Sequence, residues 1–134
     1  VNHCRQDKVM MRLFGRWIET AIDKDVAFSG LITLYTAIVM DALAANDPKK
    51  KHFHVELLKL VTPHLLHAYK SDQKDWHAAG LMMTVAMCHR LNLSAEIIKT
   101  FVKHLLQELQ SVLTRGRSGF RDLLKCIIFV FQSQ

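Results

Sequence analysis

Cysteine is scarce in this chain: Cys4, Cys88 and Cys126 are the only three in 134 residues, and none stands in CxxC spacing. An odd, scattered set excludes a disulfide framework. Each lies in or beside an apolar helical pattern and reads as a reduced, buried thiol of an intracellular protein. Long apolar runs are missing as well. The longest stretch without a charge, Val26 to Met40, is 15 residues and contains Ser29, Gly30, Thr33 and Thr36; a bilayer-spanning helix needs roughly 20. No segment sustains the alternation of a strand. Neither phosphate-binding glycine loop occurs, whether the dinucleotide GxGxxG or the longer loop ending in Gly-Lys-Ser/Thr. The nearest stretch, Arg115-Gly116-Arg117-Ser118-Gly119, has no strand before it and no lysine, and reads as a turn between helices.

Catalytic and metal-binding sets are also missing. The close histidine and cysteine groups are His3 with Cys4, His52 with His54, and His64 with His67. None reaches the four ligands of a closed zinc site, so no metal and no cofactor is expected, and these read as polar-face histidines. Cys88 precedes His89, but adjacent helix positions point about 100° apart and cannot form a nucleophile with its base. With no coherent acid, base or nucleophile, no enzyme and no small-molecule substrate are expected.

What the chain does have is helical periodicity. Half of its residues are hydrophobic and 22% are charged, the balance of a globular domain rather than of disorder. A chain of this length buries about two thirds of its unfolded surface and can hold a core unaided. Pattern and caps predict six helices over 8–23, 28–45, 48–70, 75–91, 95–113 and 119–133. Leu31, Leu34, Tyr35, Ile38, Ala42 and Leu43 make the apolar stripe of the second; Ile98, Phe101, Val102, Leu105, Leu109 and Val112 that of the fifth. Asp47 with Pro48, Ser94 and Ser118 are candidate N-caps.

Connections of three to five residues force consecutive helices into antiparallel hairpins. Hairpins repeating at roughly 40–45 residues match HEAT or armadillo units, which bury their faces against each other. The expected fold is therefore all-α, a right-handed α-solenoid of about three hairpins forming a single unit over 1–134. Val1 at the start, and Gln134 directly after the apolar run Cys126 to Phe131, read as cuts in a longer solenoid. The sixth helix is apolar nearly all round, a face a following repeat would cover.

Smaller signals agree. Pro63 lies inside a helical run, as in the bent first helix of HEAT units. Asp75-Trp76-His77-Ala78-Ala79 and Gly119-Phe120-Arg121-Asp122-Leu123 occupy equivalent turns, with Phe120 expected to tuck inward and Arg121 to bond the turn. Gly80 implies close approach of a neighbouring helix. Met82, Met83 and Met87 are expected to fill the core.

The excess of 18 Lys and Arg over 12 Asp and Glu, +6 in all, favours acidic partners such as RNA, anionic lipid or an acidic protein face. Turns within hairpins fall on one edge of such a solenoid and turns between them on the other. One edge gathers Lys24, Lys70, Lys74, Arg115, Arg117 and Arg121, a possible RNA or acidic-partner edge; the other gathers Lys49, Lys50, Lys51 and Arg90. Exposed aromatics for base stacking are scarce, Trp17 and Trp76 both falling at positions that read as packed, so sequence-specific RNA reading is not expected.

Several segments in order resemble one known region: Asn2-His3-Cys4 with Asp7 and Met11, Leu34 to Val39, Ala42 to Asp47, Asp75 to Ala79, Ile97 to Thr100, and Asp122 to Ile127. They look like the N-terminal-side domain of the very large HEAT-repeat proteins of the U3 small nucleolar ribonucleoprotein, the HEAT repeat-containing protein 1 family, over essentially the whole chain. His77 departs from the pattern, standing where HEAT turns usually carry Arg. The resemblance implies a nucleolar scaffold of the small-subunit processome, acting in maturation of 18S ribosomal RNA and linked to transcription of ribosomal DNA. Implied partners are other processome proteins, the U3 ribonucleoprotein and the 5′ external transcribed spacer of pre-ribosomal RNA, with no membrane. On helical-hairpin physics alone, a transport or trafficking adaptor binding protein cargo remains the alternative.

Overall fold

Apolar spacings of three and four residues become helices wherever the chain is described. The computed structural model describes residues 8–24, 29–44, 51–91, 93–116 and 119–132. Among them are six helices and no strand: α1 (Lys8–Asp23), α2 (Ser29–Ala44), α3 (Lys51–Lys70), α4 (Lys74–Arg90), α5 (Ala95–Arg115) and α6 (Phe120–Gln132). Every end lies within three residues of its expected place.

The ends have local causes. Ser94 caps α5, its hydroxyl accepting the Ile97 amide at 3.4 Å. Gly116 closes α5 at φ 67°, the left-handed region that a side chain disfavours, and returns its N–H to the Val112 carbonyl. α4 begins one residue before its expected start because Gln73 caps it, Oε1 accepting the Asp75 amide at 3.1 Å and leaving Asp75 in the first turn. The expected caps Asp47, Pro48 and Ser118 lie outside the described residues, as does Cys4.

Each helix packs on its hairpin partner, α1 on α2, α3 on α4 and α5 on α6. Each also packs on the like-placed helix of the next hairpin, so that α1, α3 and α5 form one layer and α2, α4 and α6 a second. This ladder is an all-α, solenoid-like fold of three hairpins. The core runs along its midline. The Tyr35 ring on α2 stands edge-on to His64 of α3 and tilted against Trp76 of α4, both centroids at 5.8 Å. Tyr69 of α3 meets Thr84 of α4 by a hydroxyl–hydroxyl hydrogen bond, and Thr84 donates back to the Gly80 carbonyl at 2.8 Å. Gly80 is where the helices come closest: a Cβ built there falls 2.6 Å from the Cβ of Ala68.

Four residues expected to pack do not, Met82 among them. Trp17 is 49% exposed, and Leu34 and Phe120 are exposed as well. For these three the cause is the ladder's two ends. Gly15 of α1 faces His64 of α3, and Trp17, about 200° further round the helix, points the other way. Phe120, Leu124, Ile128 and Phe131 similarly form a stripe on the side of α6 away from α4, and Leu106 and Leu113 of α5 are exposed too. Met83 and Met87 fill the core as expected, whereas Met82 is 54% exposed.

Candidate functional site

The turns within hairpins meet at one edge, which holds a cleft of about 950 Å³ bounded by Ile22 and Asp23 of α1 and by the Lys70–Asp75 segment. Lys70 and Lys74 are brought together here, and Lys24, Arg115 and Arg121 are exposed on the same edge. Acids interleave with them. Asp23, Asp72, Asp75 and Asp122 are exposed along that edge, which makes it mixed in sign rather than a basic ridge. Arg117 lies outside the described residues, as do Lys49 and Lys50 of the opposite edge; Lys51 opens α3, and Arg90 is exposed at the end of α4.

His64 and His67 lock helices together instead of decorating a polar face. His64 is 6% exposed and donates from Nδ1 to Glu19 Oε1 at 2.6 Å, tying α3 to α1. His67 accepts the Trp76 indole N–H on Nδ1 at 3.0 Å, which leaves its proton on Nε2 to face Asp23 Oδ1 at 3.2 Å. A single ring so bridges α4, α3 and α1. His77 donates from Nδ1 to the Tyr69 carbonyl at 3.2 Å, bonding the turn at the position where the resemblance leads one to expect Arg. Among the described residues no group of three His, Cys, Asp or Glu side chains is placed to hold a metal ion. No described helix is long and apolar enough to cross a membrane.

The Cys126 thiol is held protonated. Cys126 is buried, its S–H directed at the Leu81 carbonyl at 3.9 Å, and burial, with the neighbouring Cys88 thiol second, pushes its pKa up to about 12. Burial likewise raises the Tyr35 and Tyr69 phenols well above their ordinary value.

Two further surfaces were not legible as sites. The solvent side of the α1, α3 and α5 layer exposes Arg12, Arg16, Lys59, Lys99 and Lys103. The first three line a shallow groove of about 410 Å³ together with Glu19 and Glu56. The i, i+4 spacing of Arg12 with Arg16, and of Lys99 with Lys103, is the signal that could have found them. On the other layer a groove of about 720 Å³ runs between α4 and α6. Ala78, Leu81, Met82 and Val85 form its α4 wall and Cys126 and Phe129 its α6 wall. Lys74, Asp75, His77, Asp122 and Lys125 stand at its rim.

Comparison with known proteins adds one finding of length. "HEAT repeat-containing protein 1" of Homo sapiens is 23% identical over 141 aligned residues, which take in 100% of this chain and 6% of that protein. No family model and no solved structure matches. The ladder of hairpins and this whole-chain likeness together support a HEAT-type α-solenoid.

Proposed function

We propose that this chain is a structural scaffold segment of the small-subunit processome, supporting pre-18S ribosomal RNA processing and ribosomal DNA transcription in the nucleolus. The observation that carries the reading is the likeness to HEAT repeat-containing protein 1 along the whole chain, on a fold whose two layers expose continuous surfaces rather than a closed pocket. A scaffold needs surfaces, and a catalyst needs an activated group. Cys126, Tyr35 and Tyr69 are buried with their protons retained, which fits a holder rather than a nucleophile. Protein contact is favoured over RNA at the turn edge, where acids alternate with bases. RNA phosphates fit better against Arg12, Arg16, Lys59, Lys99 and Lys103 on the opposite layer.

The test is recovery of the full-length parent from cells. Enrichment of U3 RNA and of precursors bearing the 5′ external transcribed spacer supports the reading. Recovery with transport cargo or vesicle coats, without U3 RNA, replaces it by the adaptor reading.

A further inference from the structure

We propose that His67 is a proton-operated latch: neutral, its ring fastens Trp76 of α4 to α1, and charged, it releases Trp76 and loosens the turn between α3 and α4. The inference stands apart from the scaffold reading, since it uses only bonds inside the chain.

Each partner of the ring fixes the place of one proton. An indole N–H can only donate, so its bond to His67 Nδ1 at 3.0 Å requires a lone pair there. The one proton of the neutral ring then sits on Nε2, 3.2 Å from Asp23 Oδ1. Both neighbouring helices are held at once. A second proton can go only to Nδ1, where it points at the indole N–H; two donors then face each other and the Trp76 bond is lost. Asp23 keeps its bond, now charge-assisted. The tie to Trp76 is therefore present at higher pH, while the ring is neutral, and is lost as pH falls and the ring charges.

The effect reaches the turn because of what Trp76 holds. It is fully buried, lies tilted against Tyr35 of α2, and stands in the first turn of α4, directly after the Lys70–Asp75 segment. A buried indole N–H left without its acceptor destabilises the packing that buries it. The start of α4 gives way first.

The surroundings can host the charged ring. Its side chain is 27% exposed, so water reaches it. Asp23 on α1, Asp72 in the turn and Asp75 on α4 bound the same cleft, against Lys70 on α3 and Lys74 on α4, three acids to two bases. Glu19 of α1 is taken by His64, and the Ser29 hydroxyl of α2 bonds Asp75 at 3.3 Å. From α5, Lys103 and His104 act on Lys70 and are the groups that oppose a further positive charge.

The experiment titrates the whole chain from about pH 8 to about pH 5 by NMR, following the His67 ring nitrogens and the indole N–H signals of both tryptophans. At the high end the ring is expected to carry its proton on Nε2. As it charges, the Trp76 indole signal moves with the same midpoint and its protection factor against exchange falls at least about tenfold, while exposed Trp17 does not follow. In His67→Gln the side-chain oxygen still accepts the indole and the amide still faces Asp23, with no proton to gain, so the Trp76 response disappears. Asp23→Asn, at an exposed position, withdraws the charge that favours the charged ring and moves the response to lower pH. Should His67→Gln fail to fold, the wild-type titration and Asp23→Asn decide. A neutral ring protonated on Nδ1 overturns the proposal, as does a ring that stays neutral down to about pH 5. So do a Trp76 signal that ignores the titration of His67, a full response in His67→Gln, or a midpoint that Asp23→Asn leaves in place.

Discussion

Replacing Gly80 with alanine sets two effects of known size against each other. In an isolated helix the change would stabilise by about 1 kcal/mol, because glycine loses more backbone entropy. Here the new methyl falls 2.6 Å from the Cβ of Ala68, with Tyr69 Cδ1 at 3.7 Å and the Ala68 carbonyl carbon at 3.8 Å behind it. Methyl groups rest about 3.5–4.0 Å apart, so α3 and α4 must separate by roughly 1 Å at their closest point. Separation loosens Trp76 and Tyr69, both fully buried beside the crossing. Overpacking of this kind costs about 1–3 kcal/mol. The expected net is a loss of about 0–2 kcal/mol, or up to roughly 8 °C in melting temperature for a chain of this size. Urea and thermal melts followed by circular dichroism measure it. The control is the exchange Gly80→Ala with Ala68→Gly, which moves the methyl from one helix to the other and returns stability to within about 0.5 kcal/mol of wild type, with a coupling energy of about 1–2 kcal/mol. A single Gly80→Ala variant that gains about 1 kcal/mol, with Ala68→Gly simply additive, refutes the close-approach account.

The other expectations follow from the same contacts. Glu19→Ala deprives buried His64 of its acceptor and lowers stability by about 1–3 kcal/mol, while Thr20→Ala on the exposed side of α1 changes it by less than about 0.5 kcal/mol; equal effects contradict the pairing. In a Cys4→Ser background, Cys88 and Cys126 react with iodoacetamide at pH 8 only after denaturation; rapid labelling of the folded chain is the contrary result. Because the folded Cys126 pKa of about 12 lies above its ordinary 9.0, its contribution is whole below pH 9, and stability should fall as pH rises from 9 toward 12. His104 is held below 6.5 by burial first and then by Lys70 and Lys103, so its contribution is present above pH 6.5 and lost on acidification; an NMR midpoint at or above 6.5 opposes this. Leu124→Glu with Ile128→Glu on the free side of α6 should reduce concentration-dependent association seen by light scattering and leave the melt unchanged; a lowered melting temperature would place that stripe in the core.

Helix number and order were legible because the signals are local. The stripe of α5 and the Ser94 cap are read within one or two turns of chain, and both are found in place. The close approach at Gly80 was also legible, since a glycine inside a helical run needs a reason. The fate of single apolar residues was not. Met82 and Met83 are chemically identical and about 100° apart on α4, yet one lines the open groove and the other is fully buried. Trp17, Leu34 and Phe120 carry the periodicity of packed residues and face the ends of the ladder, a property of neighbours and not of spacing. His64 reads as polar and is buried, because the room it occupies is made by Gly15 on another helix. The turn edge was read for its cations alone. Asp23, Asp72, Asp75 and Asp122 were as visible in the sequence, and only their placement among the lysines shows that they offset the field.

The claim that this chain works as an assembly scaffold is tested most directly by crosslinking mass spectrometry on particles purified through the full-length parent, with RNA sequenced from the same sample. The account expects U3 RNA and precursors with the 5′ external transcribed spacer in the particle, together with crosslinks from the chain's exposed lysines to another assembly protein. Particles that hold transport cargo or coat proteins instead, with no U3 RNA and no protein crosslinked to those lysines, contradict it.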